Sequence, residues 1–450
     1  MDGALARAGD ERRVLRRRGC WVRRLLSIVS LVPLAACGAS PQPAERASEP
    51  PRVAVERLVL TPVSVLAKAR GADVLQGGVG SSLAVPDGRR GPFYFLSDRG
   101  PNVDLVEDDH KLFPVPGYAP AIAEYRWRDD GLVRVRRIAL HWPDGRAISG
   151  LPAPEADGSA SEVAFAPDGR RLPPDPNGLD PEGLVALPDG TFWVSDEYGP
   201  WLLHVASDGA VVERIGTRPG AARRLPAVLA ARRPNRGMEG LARVPGTRTL
   251  AGLMQSPLDN PKSAGRASRA TRLVLFDTDT AESRQLVYLL DAPETRITEL
   301  AALSATRFLA LEIDARIPGD PRAPSRCVRL YEIDLDGATD VGDPADAPAG
   351  RLFDGRTLEA LSPDEMSASG VVPVRKRLLL DLLDPAVAYP YDKPEGLAVL
   401  GPRLVGVVND DDFGIDADGR GGVTAKRTRD GRIMRNELWL LRLPQLAESR

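Results

Sequence analysis

The sequence predicts an all-β chain: a single β-propeller of five or six four-stranded blades, its ring closed by the N- and C-terminal strands. Three observations lead there. Two short apolar runs flank Pro188-Asp189-Gly190, between Glu182 and Asp196-Glu197. Turn residues between strand-forming runs mark a tight hairpin. The unit then recurs, as Glu239-Gly240-Leu241-Ala242, Glu299-Leu300-Ala301-Ala302 and Glu395-Gly396-Leu397-Ala398, with a degenerate copy at Ser81-Ser82-Leu83-Ala84. These starts lie 101, 57, 60 and 96 residues apart. The middle spacings slightly exceed one propeller blade; the outer two fit one blade with a long insertion, or two blades of which one is unrecognised. Finally, 43 Gly and 41 Pro suit many short strands and turns, and a single stretch, 225–233, is helix-like.

Composition narrows the function. A formal charge of −2 over 450 residues argues against a nucleic-acid binder working by bulk electrostatics. Of three cysteines, Cys20 and Cys37 lie near the N-terminus, so the body holds the lone thiol of Cys327 and no internal disulfide. His110, His141 and His204 are far apart, and no zinc-ligand spacing occurs.

In chain order, residues 1–36 read as a lipoprotein signal peptide, 37–52 as a flexible tether and 53–450 as the propeller. A basic segment precedes the apolar run 25–34, which is too short to span a bilayer. Leu34-Ala35-Ala36-Cys37 resembles a bacterial lipobox. That resemblance implies cleavage before Cys37, lipid on Cys37 and an exported chain held to a membrane by lipid alone, facing periplasm or exterior. Residues 39–51 are rich in Ser, Pro, Ala and Glu, as a tether requires. A strand at 55–60, the hairpin at 81–98 and a hairpin at 122–140 with Asp129-Asp130-Gly131 as its turn follow. Residues 142–178 are rich in Pro, Gly and Asp and read as a long loop between blades. Second hairpins complete the later blades at 201–215, 272–290 and 328–335 with 371–383. The last strand, 437–443, is expected to share a blade with the strand at 55–60, which removes exposed sheet edges.

An antiparallel hairpin sets the start of one strand beside the end of the other, so Glu182 should meet Asp196 and Glu197. With the repeats as inner hairpins, Glu182, Glu239, Glu299 and Glu395 converge at one channel mouth. Asp98, Glu312 and Asp410 arrive from returning strands, while Asp411 and Asp412 read as a solvated loop. Hard oxygen donors at this density suit Ca²⁺ or Mg²⁺. On this reading Glu182, Glu239, Glu395 and Asp410 hold the divalent cation, Asp196 or Glu197 acts as base, and Arg99 and Arg236 bind substrate. The competing reading makes each repeated Glu a clamp on the next blade's backbone N–H groups, and each Arg an ion-pair partner of a rim carboxylate. Ser81, Ser97 and Ser195 lack a Gly-x-Ser-x-Gly elbow and a nearby His motif, which argues against a serine triad.

Five motifs in one order carry a family resemblance: Ser97-Asp98-Arg99-Gly100-Pro101-Asn102, Asp180-Pro181-Glu182-Gly183-Leu184, Val194-Ser195-Asp196-Glu197-Tyr198-Gly199-Pro200, Asn235-Arg236-Gly237-Met238-Glu239-Gly240-Leu241-Ala242 and Pro394-Glu395-Gly396-Leu397-Ala398. Over roughly residues 75–415 the chain resembles the bacterial phytase-like family with esterase-like activity. The resemblance implies a β-propeller and hydrolysis of phosphate esters or other esters. Two function classes result. One is an exported, lipid-anchored, monomeric hydrolase of a small-molecule ester or phosphate ester, with a sugar lactonase as a variant. The other is a non-catalytic propeller lipoprotein that binds a protein, glycan or phosphorylated ligand.

Overall fold

A computed structural model describes residues 53–86, 91–107, 109–128, 131–154, 162–443 and 446. The signal segment, Cys37 and the tether lie outside the described residues, as do Asp129 and Asp130 of one expected turn. Five four-stranded antiparallel sheets carry the propeller-like fold. The first runs Ser82–Ala84, Phe93–Leu96, Ala121–Arg128 and Gly131–Ala139, and the second Pro181–Ala186, Phe192–Asp196, Trp201–Val205 and Val211–Ile215. The third runs Met238–Arg243, Thr249–Met254, Ala270–Asp277 and Ser283–Leu289, and the fourth Arg296–Ala302, Arg307–Ile313, Val328–Asp334 and Arg375–Asp381. The fifth joins Pro394–Gly401, Leu404–Asn409 and Glu437–Arg442 to Ala54–Val59, with Ala54 opposite Arg442.

Both faces of these sheets are buried, which explains their unbroken apolar runs. Along Glu437–Arg442, Leu438 and Leu440 pack with the first sheet, while Trp439 and Leu441 pack with the fourth. Successive side chains of a strand point to opposite faces, so one strand feeds two cores. Five hydrophobic clusters repeat this arrangement, each joining a sheet to its neighbour: first to second, second to third, third to fourth, fourth to fifth and fifth to first. Trp193 lies in the cluster between the second and third sheets.

The innermost strands lie against one another in the same order, and that closeness explains the Gly of the repeated motif. A Cβ on Gly183 would sit 2.6 Å from the Glu239 carbonyl oxygen, and one on Gly240 2.6 Å from the Leu300 nitrogen. Before each Gly, and before Glu299 in the fourth sheet, the strand bulges. Glu182, Glu239, Thr298 and Glu395 are the extra residues, skipped between paired neighbours. A bulge re-aims the side chain of the unpaired residue.

The bulge positions correct the fourth repeat. The residue equivalent to Glu182 is Thr298, not Glu299. The Glu-Leu-Ala-Ala run imitates the Glu-Gly-Leu motif with a slip of one residue, and in a strand such a slip exchanges faces. Among the described residues the long spacings hold no further four-stranded sheet. Val163–Phe165, within the predicted loop 142–178, pairs with His110–Leu112, which pairs with Val103–Asp104. The helix-like stretch forms a short 3₁₀ segment, Ala227–Ala231. The α-helix Pro363–Ala368 was not foreseen, although Ser362 and Glu365 form a capping box with Pro363 at the first position. The buried pair Arg272 Nε–Glu359 Oε1, at 2.7 Å, fixes that insertion to the third sheet.

Gly240→Ala should destabilise the fold by about 1–3 kcal/mol, because the new methyl meets backbone that cannot retreat. Gly401→Ala meets nothing within 4 Å and should change stability by less than ~0.5 kcal/mol. Urea unfolding of both variants checks the contrast.

Candidate functional site

The bulged Glu residues open onto a cavity of about 630 Å³ at the leading ends of the inner strands. Twelve carboxylate side chains and five cationic ones line it. Its floor holds Glu182, Glu239 and Glu395 from three inner strands, with Asp180 just before the second sheet and Glu197 just after its second strand. The insertions supply a wall that carries Glu162 and Lys111.

Carboxylate oxygens of Asp180, Glu182 and Glu197 lie within 4.8 Å of one another, and all three residues are buried. Asp180 is held by Arg99, whose backbone N–H donates to Oδ1 at 3.1 Å and whose Nε lies 3.5 Å from Oδ2. Glu197 Oε1 accepts from Gln255 Nε2 at 2.5 Å, and the same amide nitrogen donates to Glu239 Oε2 at 2.8 Å. Gln255 Oε1 in turn accepts from Arg236 Nη1. A neutral amide thus spaces two carboxylates and orients a guanidinium. Among the described residues no hydrogen bond reaches the Glu182 carboxylate. This set of oxygen donors fits a hard divalent cation.

Burial and crowding set the protonation. Burial, then Glu239 and Asp180, hold the Glu182 carboxyl well above its ordinary range. Burial, then Glu197 and Glu395, do the same to Glu239. Burial and Asp180 push Glu197 up to about 7. Burial, opposed by Lys393, leaves Glu395 at about 8. Like charges this close cannot all ionise without compensation.

Each expected site residue can now be placed. Glu182, Glu197, Glu239 and Glu395 come together in the cavity, with Arg99 and Arg236. Asp196 does not join them: its oxygens accept from Asp180 N at 2.8 Å and Gly199 N at 3.0 Å, so it holds the loop that carries Asp180 and Glu197. Asp410 is not among the lining residues; it is buried, with Oδ2 2.7 Å from Lys393 Nζ. Arg99 lines the cavity, but its guanidinium is engaged by Glu162, Asp180, Tyr198 and Asn102. Glu299 accepts from Ser82 Oγ of the first sheet, from the Leu241 N–H of the preceding sheet and from the Leu300 N–H of its own strand, so it ties inner strands together without holding the next sheet's backbone. Glu312 faces away from the rim and bonds Tyr288, Thr295 and Lys376. Asp411 is no solvated loop residue: it is buried and accepts from Gly78 N at 2.7 Å. Among the described residues no histidine lines the cavity, and Ser195 Oγ donates to the Glu239 carbonyl.

Four participants escaped the sequence reading: Asp180, Gln255, Arg296 and Lys393. Arg296 has a buried Nε without a partner, and its Nη2 lies 3.8 Å from Glu395. Burial, then the neighbouring Arg296 charge, hold Arg236 below its ordinary value, and both residues line the cavity. Asp180 stands beside Glu182 in the Asp180-Pro181-Glu182-Gly183-Leu184 motif. Nothing local marked Arg296, which gains its place from the start of the fourth inner strand.

Three comparisons with known proteins give the following matches. A family model described as phytase-like, esterase-like activity of phytase, matches residues 76–413. An uncharacterised secreted protein from Arthroderma benhamiae is 33% identical over 94 residues, or 17% of each chain, so the present chain spans under a fifth of that relative. A protein of unknown function from Dyadobacter fermentans matches with TM-score 0.35 and 9% identity, over 86% of this chain and 99% of that one. Virginiamycin B lyase from Staphylococcus aureus matches with TM-score 0.34 and 10% identity, over 87% and 99%.

The raised carboxyls give a pH dependence with a definite sign. Unfolded, these groups titrate at about 4.3; folded and metal-free, Glu197 and Glu395 titrate at about 7 and about 8. The folded state therefore keeps protons that the unfolded chain releases, and its stability falls as pH rises through this window. In EDTA the thermal midpoint should drop between about pH 5 and about pH 8. Glu182→Gln, which removes one of the crowded charges, should raise the midpoint by several degrees at the upper end, measured by calorimetry.

Proposed function

The chain belongs to the phytase-like family, and from that premise we propose that it is an exported hydrolase of phosphate esters or related esters, acting through a divalent cation at this rim. The cluster of Asp180, Glu182 and Glu197 oxygens, buried side by side, carries the reading. The proposal takes the five sheets as blades of one five-bladed propeller, sealed where Ala54–Val59 pairs with Glu437–Arg442. Lipid on Cys37 and delivery to a membrane surface complete it; a secreted relative supports export.

Twelve carboxyl groups face five cationic side chains in the cavity, and a cation there would take the place of the protons that burial and crowding keep on several of them while offering an anionic ester a positive centre. Asp180, Glu182 and Glu197 would hold Ca²⁺ or Mg²⁺, which supplies neutralisation and polarises a bound phosphoryl or carbonyl oxygen. Arg99 keeps Asp180 in position rather than binding substrate. Arg236 and Arg296 receive the remaining substrate oxygens, since crowded guanidinium groups with spare donors gain most from an anion between them. Glu395 takes the proton of the attacking water; it lines the cavity on a different inner strand from Glu182, with Arg296 beside it. Gln255 fixes the rotamers of Glu197 and Glu239 and so excludes other arrangements of the floor.

The test is hydrolysis by the full chain of a panel of phosphate monoesters, carboxyl esters and lactones, with calcium, magnesium or EDTA. Turnover that EDTA abolishes is expected. Glu395→Gln should lower kcat by about 10²–10⁴-fold while the ion still binds, whereas Glu182→Gln should lose the ion. A cation at hundredfold excess over its dissociation constant should add ~2.7 kcal/mol to the wild-type stability. Silence across the panel from a folded, ion-loaded chain would overturn the catalytic reading in favour of a binding propeller.

A further inference from the structure

Lys393 stands where a second cation would stand. Its Nζ lies 2.7 Å from Asp410 Oδ2, 2.9 Å from Asp412 Oδ1 and 3.5 Å from Glu395 Oε1. Three carboxylates around one ammonium form the oxygen cage that a hard divalent ion takes. The cage is built rather than incidental. The Lys393 carbonyl also accepts from Asp410 N at 2.8 Å, so both ends of the residue grip the same turn. That turn is strained, with Asp412 at φ 48° and Phe413 at φ 56°. Left-handed backbone in consecutive non-glycine residues persists only where the surroundings over-determine it. Behind the turn, Lys426 bonds Asp412 and lies 2.9 Å from Asp392. This half of the rim therefore carries its own cations. Among the described residues the Asp180–Glu182–Glu197 half does not: its one ion-pair contact is Arg99 Nε to Asp180, at 3.5 Å.

We propose that the rim takes a single divalent ion, on Asp180, Glu182 and Glu197, and that Lys393 is the fixed second positive charge, holding Glu395, Asp410 and Asp412 in place of a second ion. The inference rests on the metal reading above, but it concerns stoichiometry and not turnover. With all three carboxylates drawn onto its ammonium, Lys393 is a positioning residue. It keeps Glu395 aimed into the cavity and spares the site a second, exchangeable ion.

Removing the ammonium while keeping the length of the side chain vacates the cage. Calcium binding to the full chain, followed by calorimetry and equilibrium dialysis, should give one ion per wild-type chain. Lys393→Met should take up a second ion and show a thermal midpoint that is depressed in EDTA and restored by calcium. Lys393→Arg, which keeps the charge, and Asp412→Asn, which removes one cage ligand, should both stay at one ion. Two ions per wild-type chain would overturn the proposal, whatever the variants do, as would a folded Lys393→Met that binds no more calcium than wild type. A wild type that binds none, beside a Lys393→Met that binds one, would leave Lys393 as the cation substitute and sink the metal reading of the Asp180 cluster instead. If Lys393→Met does not fold even with calcium, the wild-type and Asp412→Asn counts decide.

Discussion

Mutual repulsion among buried carboxylates is the constraint on which the rest of the rim depends. Asp180, Glu182, Glu197, Glu239 and Glu395 share one cavity, and each is pushed toward its protonated form by burial and, for most of them, by the others. Every neighbouring feature answers that repulsion. Gln255 inserts a neutral donor between Glu197 and Glu239. Arg99 shields Asp180 and is itself braced by Glu162 and Tyr198. Lys393 and Lys426 compensate the Asp410–Asp412 turn. What is left without internal compensation is Glu182, and that is where an external cation gains most.

Such a floor is unfavourable to folding in the absence of a cation, so its stability comes from elsewhere. The five intersheet clusters supply it, each strand contributing to two cores through alternate side chains. Burial of large side chains such as Trp439, Phe93 and Phe308 is worth about 1.5–3 kcal/mol per residue. This sum must outweigh both chain entropy and the charged rim. The geometry links the two demands. Inner strands packed closely enough to need Gly183 and Gly240 have no space for a side chain on that face, so the bulge immediately before each Gly turns the acidic residue toward the cavity. The core's tight packing and the site's acidity are consequences of one local motif.

That motif is why so much was legible in the sequence. Hairpin spacing located Glu182, Glu239 and Glu395, because turn residues and a period of two leave little freedom in register. The pairing of the first and last strands followed from the same patterning. Residues whose role depends on contacts between sheets were not legible. Arg296 and Lys393 look like ordinary strand-edge cations, and Asp196 looks like Glu197 until the backbone N–H groups of Asp180 and Gly199 are seen to occupy it. Asp411 reads as a loop residue because its partner, Gly78 N, is 333 positions away. Sequence fixes what a strand does to its neighbour; it is silent on what a side chain meets across a cavity.

The fourth sheet shows how a repeat becomes a single site. At the bulge the five inner strands carry Glu182, Glu239, Thr298 and Glu395, with Ser81 at the corresponding place in the first sheet, where no bulge is formed. A Glu at every position would spread the charge evenly around the mouth and favour no one locus. Thr298 instead donates to the Pro394 carbonyl at 2.7 Å, and Glu299, one residue on, turns to the opposite side and ties Ser82 to the backbone at Leu241 and Leu300. The fourth strand thereby exchanges an acidic rim residue for a clamp, and brings Arg296 to the wall at its start. Acid is concentrated on the second, third and fifth strands, and guanidinium on the third and fourth. That asymmetry gives the cavity a direction, with a carboxylate-rich side and a guanidinium-bearing side, which a symmetric ring of repeats does not have.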